Sequence, residues 1–135
     1  MGAGWTHEVK QDGYRIIARR VGTAVHFWSG NPADYAGTMT RIVAGLRKLR
    51  VKSCTIDGEA IAFRPDGHSD FFALRGKDGQ AIAVLVAFDL LELNGSDLRR
   101  LPIEDRRAKL AHLLRSEPDG LIFSEAICRR RADRV

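Results

Sequence analysis

The stretch Glu8-Val9-Lys10-Gln11-Asp12-Gly13-Tyr14-Arg15 sets one lysine among alternating apolar and polar residues, directly before an Asp-Gly pair. Trp5, His7, Val9 and Gln11 read as a short strand, and Asp12-Gly13 is a turn signal. Residues 14–20 read as a second strand, so the stretch predicts a β-hairpin. A lysine on such a strand can be held at a fixed point in a pocket. If it is partly desolvated beside another cation, its pKa falls and the amine becomes a nucleophile. Arg15 is a candidate for that cation, or for a phosphate clamp. The alternative is a hairpin whose exposed lysine pairs with Glu8 or Asp12.

Working outward, Ala24 to Ser29 reads as a third short strand, and Gly30-Asn31-Pro32 breaks it. Residues 33–49 carry Tyr35, Met39, Ile42, Val43, Leu46 and Leu49 at helical spacing, which predicts an amphipathic helix. Residues 53–64 read as a strand, Pro65-Asp66-Gly67 as a turn, and Asp70 to Arg75 as a short helix. Residues 81–91 are nearly all apolar and predict the most buried strand. Asn94-Gly95 marks a turn. A helix is expected at about 104–115, with Pro102 just ahead of it. Leu121 to Ser124 would be a last strand. Several strands with few β-α-β alternations predict an α+β domain built on an antiparallel sheet.

Lys10-Gln11-Asp12-Gly13-Tyr14-Arg15 resembles motif I (KxDGxR) of the covalent nucleotidyltransferases, which include ATP-dependent DNA ligases, RNA ligases and capping enzymes. Thr55-Ile56-Asp57-Gly58-Glu59-Ala60 resembles their motif III, and Val86-Ala87-Phe88-Asp89-Leu90-Leu91 their motif IIIa. Phe88 to Leu98, followed by Leu101-Pro102-Ile103-Glu104-Asp105-Arg106-Arg107, is similar in wording and order to bacterial ATP-dependent DNA ligases of the end-joining type. The similarity runs across about residues 5–125.

The resemblance implies antiparallel β-sheets flanked by helices, a partial ligase-type adenylation domain with the nucleotide between the sheets. It implies that Lys10 attacks the α-phosphate of ATP and carries AMP as a phosphoramidate. Glu8 then faces the adenine amino group, and Arg15 the ribose and phosphate side. Glu59 contacts the ribose or a bound Mg²⁺, and Phe88 stacks on adenine. Each has a plainer alternative: Glu8 as a surface acid, Glu59 as a turn acid closing Asp57-Gly58, and Phe88 as core. Asp89 could cap the strand end. The chain also departs from the family pattern. Trp28-Ser29-Gly30-Asn31 stands where family ligases carry Ser-Arg before an Asn-Gly turn, so a nucleotide-binding arginine is missing. Residues 116–135 match neither motif IV nor motif V, which supply a metal acid and phosphate lysines. The expectation is a domain truncated before those motifs, with weakened ATP activation. Residues 1–125 are the expected adenylation domain and 126–135 a basic tail.

The chain has 135 residues, 44% of them apolar and 29% charged. One domain with a buried core is expected. No apolar run approaches the ~18 residues of a membrane span. No secretory signal is visible, and Cys54 and Cys128 lack metal-ligand spacing, so free thiols and a cytoplasmic setting are expected. A net charge of +5 and a pI near 9.7 favour polyanionic partners. Arg99, Arg100, Arg106 and Arg107, with Arg129, Arg130, Arg131 and Arg134, have the distribution of a nucleic-acid footprint. The alternative for Arg106 and Arg107 is a solvated helix face. Two functions follow as expectations. One is a ligase-like protein that binds ATP and Mg²⁺ and is adenylated on Lys10, acting on nicked or broken duplex DNA or with a repair protein. The other is an inactive relative serving as a basic DNA- or partner-binding module. In either case an uncovered sheet face predicts self-association into a homo-oligomer.

Overall fold

The computed structural model describes residues 13–30 and 34–124. The first expected strand and the Asp12-Gly13 turn therefore lie outside the described residues or at their border. So do the 126–135 tail and Cys128. Strand β1 (Tyr14–Val21) turns at Gly22 into β2 (Ala24–Ser29). A 3-10 turn at Tyr35–Gly37 precedes α1 (Thr40–Arg47), and β3 spans Ser53–Ile61. A second 3-10 turn, Phe71–Arg75, leads to α2 (Lys77–Ile82) and then to β4 (Val84–Leu93). Strand β5 (Ser96–Asp97), α3 (Ile103–Leu113) and β6 (Leu121–Phe123) complete the order.

The strands form one six-stranded sheet in the order β2-β1-β3-β4-β5, with β6 added to β4. All pairings are antiparallel except β4–β6, which is parallel. The α+β class and the antiparallel sheet are as expected. The sheet's two faces follow from alternation along β1. Ile16 and Ala18 enter the core with Ile56, Ala60, Leu85 and Leu90, while Arg15 and Arg19 point away from it. Helices α1 and α3 cover the core face through Ile42, Val43, Leu46 and Leu110, with Leu114 just past the end of α3.

Four boundaries differ from the sequence reading, each for a local reason. The helix expected over 33–49 is shorter. The Asp34 side chain accepts from Ala36 N and caps a separate 3-10 turn, so α1 starts only at Thr40. The strand expected over 53–64 ends at Ile61, and Phe63 makes only an isolated bridge to Ser69. Ala81 and Ile82 belong to α2, not to the apolar strand. Gly79 lets that helix close against Ala73, whose carbonyl oxygen would lie 1.8 Å from an added Cβ. The helix expected to run to about 115 ends at Leu113.

Arg20 points inward and is only 5% exposed. Its guanidinium donates to the carbonyls of Leu46 and Leu49, each at 2.8 Å, and to that of Val51. These oxygens lie at and beyond the C-terminal turn of α1, where intrahelical donors run out. Arg20 thereby ties the α1–β3 connection to β1. Cys54 is buried and free, and burial pushes its thiol pKa up to about 11.

Candidate functional site

The register of β1 and β3 sets Arg15 opposite Glu59 and Ile17 opposite Asp57. Arg15 reaches diagonally to Asp57 with a two-pronged hydrogen bond. Its Nε donates to Oδ1 at 3.0 Å and its Nη2 to Oδ2 at 2.7 Å. The Asp57 side chain is 10% exposed and that of Arg15 is 65% exposed. Hydrogen bonding to Asp57 raises the Arg15 pKa. Desolvation opposes it, and Asp57, Glu59 and Asp89 add to the rise. The same guanidinium lies 5.0 Å from the centroid of the Phe88 ring. Arg15, Asp57, Glu59 and Phe88 therefore share one neighbourhood on the sheet face away from the main core.

Phe88 is placed by an irregularity in β4. Asp57 pairs with Asp89 but Gly58 with Ala87, so Phe88 is the extra residue of a bulge. Its residue exposure is low, yet it is not part of the main core cluster. Gly58 is needed at the same point. An added Cβ would stand 2.6 Å from the Val86 carbonyl oxygen. The Asp57-Gly58-Glu59 triplet thus combines an arginine clamp, a close backbone approach and a half-buried carboxylate.

Asp89 does not cap a strand end. It accepts from Arg106 Nε at 2.8 Å and Nη2 at 3.1 Å, and from Leu90 N at 2.9 Å. Arg106 also donates to the Leu101 carbonyl at 2.7 Å. Arg107 is 4% exposed, donates to the carbonyls of Phe88 and Ser124, and covers the Phe123 ring. These two arginines are neither a nucleic-acid footprint nor a solvated helix face; they hold β4 and β6 to α3. Arg99 pairs with Asp97 at 2.8 Å.

Three of the expected site residues, Arg15, Glu59 and Phe88, come together. Lys10 and Glu8 lie outside the described residues. Among the described residues no group of three His, Cys, Asp or Glu could hold a metal ion. Glu59 stands as one carboxylate, the kind of anchor Mg²⁺ uses when substrate phosphates and water complete its shell. Asp57 and Asp89 were not singled out as site residues. Their partners become visible only once the strand register and the packing of α3 are known.

A family model for the ATP dependent DNA ligase domain matches residues 1–135. The chain belongs to this DNA ligase family. It is 33% identical over 127 residues to the multifunctional non-homologous end joining protein LigD of Pseudomonas aeruginosa, covering 91% of this chain and 15% of that protein. It is 35% identical over 118 residues to a probable DNA ligase of Sorangium cellulosum, covering 79% of this chain and 22% of that one. The chain thus spans less than a quarter of these curated relatives. The ligase domain of M. tuberculosis LigD superposes with a TM-score of 0.68 at 28% identity, over 85% of this chain and 38% of that one. A mycobacterial DNA ligase D complexed with ATP and MES superposes at 0.65 with 27% identity and the same coverage. Arg15, Asp57, Glu59 and Phe88 all lie within the residues matched by the family model.

Proposed function

We propose that this chain forms the nucleotide-binding part of a lysine-adenylating centre that serves DNA end joining or nick repair. The observation that carries this reading is the meeting of Arg15, Glu59 and Phe88, from three separate motifs, around the Asp57 clamp. ATP fits this face on chemical grounds. The face combines an aromatic ring, the group that stacks on a base, a half-buried carboxylate, the group that meets a ribose hydroxyl or Mg²⁺, and a guanidinium, the group that meets phosphate. Base stacking on such a ring contributes roughly 1–3 kcal/mol. Arg15 lies over Phe88 here, so base and guanidinium compete for the ring.

In the proposed reaction the neutral Lys10 amine attacks the α-phosphorus of ATP. A P–N bond forms, the bond to pyrophosphate breaks, and the amine proton is released. Arg15 offsets charge on the transferring group, and Asp57 keeps Arg15 oriented. The departure at Ser29-Gly30 removes a charge clamp, so transfer is slowed. Residues 1–125 form the adenylation unit and 126–135 a basic tail.

Intact-protein mass spectrometry after incubation with ATP and Mg²⁺ tests this. A single acid-labile AMP adduct, abolished by Lys10→Ala, supports it. An adduct that survives Lys10→Ala contradicts it. A second reading, an inactive basic binding module, is favoured by the charge of +5 and requires that no adduct form.

A further inference from the structure

Four cations stand within six residues at Arg47, Lys48, Arg50 and Lys52, with no acid among them. They run from the last turn of α1 into the connection to β3, and all four are exposed. Lys48, Leu49 and Arg50 form one wall of a cleft of about 440 Å³. Leu113, Arg115 and Ser116, at the end of α3, form the other.

Two helix C-termini meet at this cleft, and free C-terminal carbonyls would repel an anion. Several of these carbonyls are occupied. Buried Arg20 engages those of Leu46, Leu49 and Val51. Arg115 Nη1 donates to the His112 carbonyl at 2.7 Å. Arg20 thus offsets the carbonyl charge and also holds the backbone from which Lys48 and Arg50 project. The neighbouring acids are Glu117 and Asp119. Asp119 is engaged by Arg41 at 2.7 Å, and Glu117 is exposed beside Ser116.

We propose that this cleft is a second contact for the phosphate backbone of duplex DNA, on the helix-covered side of the sheet, away from the Arg15–Phe88 face. Its choice of partner rests on the ligase reading. Phosphate contacts need cations and hydroxyls, which Lys48, Arg50, Arg115 and Ser116 supply. A protein partner would need an aromatic or aliphatic anchor in a pocket. The lining has no aromatic residue, Leu49 is only 6% exposed, and Leu113 is the one half-buried aliphatic side chain in it.

The test is fluorescence anisotropy of a labelled duplex with the full chain across a series of salt concentrations. It compares wild type with the combined Lys48→Gln, Arg50→Gln, Arg115→Gln variant. Each lost phosphate contact lowers the slope of log affinity against log salt by about 0.9. The variant is expected to lose roughly 2–3 from the slope and at least about tenfold in affinity at low salt. The Lys48→Gln, Arg50→Gln double variant keeps the Arg115–His112 bond and is expected to lose about two-thirds as much. Unchanged slope and affinity, or no duplex binding by the wild type, overturns the proposal. So does salt-dependent binding of a polyglutamate peptide that the variant loses while its duplex binding is retained, which would assign the cleft to an acidic protein segment. ATP titration of the same proteins separates the two readings. A wild type that binds ATP but makes no duplex contact sinks this proposal alone. Absence of ATP binding with the duplex contact intact sinks the nucleotide reading alone.

Discussion

Asp57 and Asp89 stand directly opposite each other in the β3–β4 register, and each is held by its own arginine. Like charges opposed across a ladder destabilise it. Here Arg15 from β1 clamps one and Arg106 from α3 clamps the other. The two acids are thereby kept side by side, and the candidate site is tied to both neighbouring elements.

The two clamps differ in burial, so their removal has unequal effects. The Arg106 and Asp89 side chains are 15% and 7% exposed. Arg106→Gln leaves a buried carboxylate beside Asp57 and is expected to cost about 3 kcal/mol. Arg15→Gln lets water replace an exposed guanidinium and is expected to cost about 1 kcal/mol or less. Urea denaturation of both variants checks the order. Equal effects would contradict the assigned roles.

Gly58→Ala tests the close approach of β3 to β4. Its Cβ would meet the Val86 carbonyl at 2.6 Å and Leu85 Cδ1 at 3.0 Å. Neither the backbone oxygen nor the core leucine yields easily, so a loss of about 1–3 kcal/mol is expected. Denaturant melts read this out. Gly30→Ala, where an added Cβ meets nothing within 4 Å, is the control and is expected to change stability little.

The classes of most elements were legible in the sequence because they are local. Alternation marks β1 and β2, and Asn94-Gly95 takes positive φ at both residues, as its turn signal required. The 3-10 turn before α1 was not legible, because helical spacing also fits a chain interrupted at Thr38 and Met39. The motif resemblance brought Arg15, Glu59 and Phe88 into view. The Arg15–Asp57 clamp and the inward course of Arg20, Arg106 and Arg107 depend on register and on long-range partners. An arginine among polar neighbours reads as surface, and only the carbonyls it meets reveal otherwise. The cations at 47–52 were passed over in the sequence, because their cleft exists only through α3.

Acid is expected to loosen the end of β4. Desolvation pushes the Glu92 pKa up, but hydrogen bonds from Ser53, Gly95 N and Thr55, with Arg19 nearby, outweigh it and leave it lowered. A lowered folded pKa means that the unfolded chain binds the proton more readily. The contribution is therefore complete above the unfolded value of about 4.3 and is lost as pH falls through the folded value. Glu92→Gln should lower the melting temperature at pH 7 and have less effect near pH 3. A pH-independent difference would contradict this.

Phe88→Ala is expected to weaken ATP binding about tenfold or more, and Phe88→Tyr to restore most of it, since stacking is worth roughly 1–3 kcal/mol. Calorimetric titration of the two variants, each checked for cooperative melting, measures this. Equal affinities would remove Phe88 from the nucleotide site.

The most direct measurement of the central claim is amide chemical-shift mapping of the isotope-labelled chain titrated with ATP and Mg²⁺. The expected result is saturable shifts centred on Arg15, Asp57, Gly58, Glu59 and residues 86–89, with the Arg15 side-chain resonance among those that move. Shifts confined to the Lys48–Arg50–Arg115 cleft, or none at these positions at saturating ATP, would contradict it.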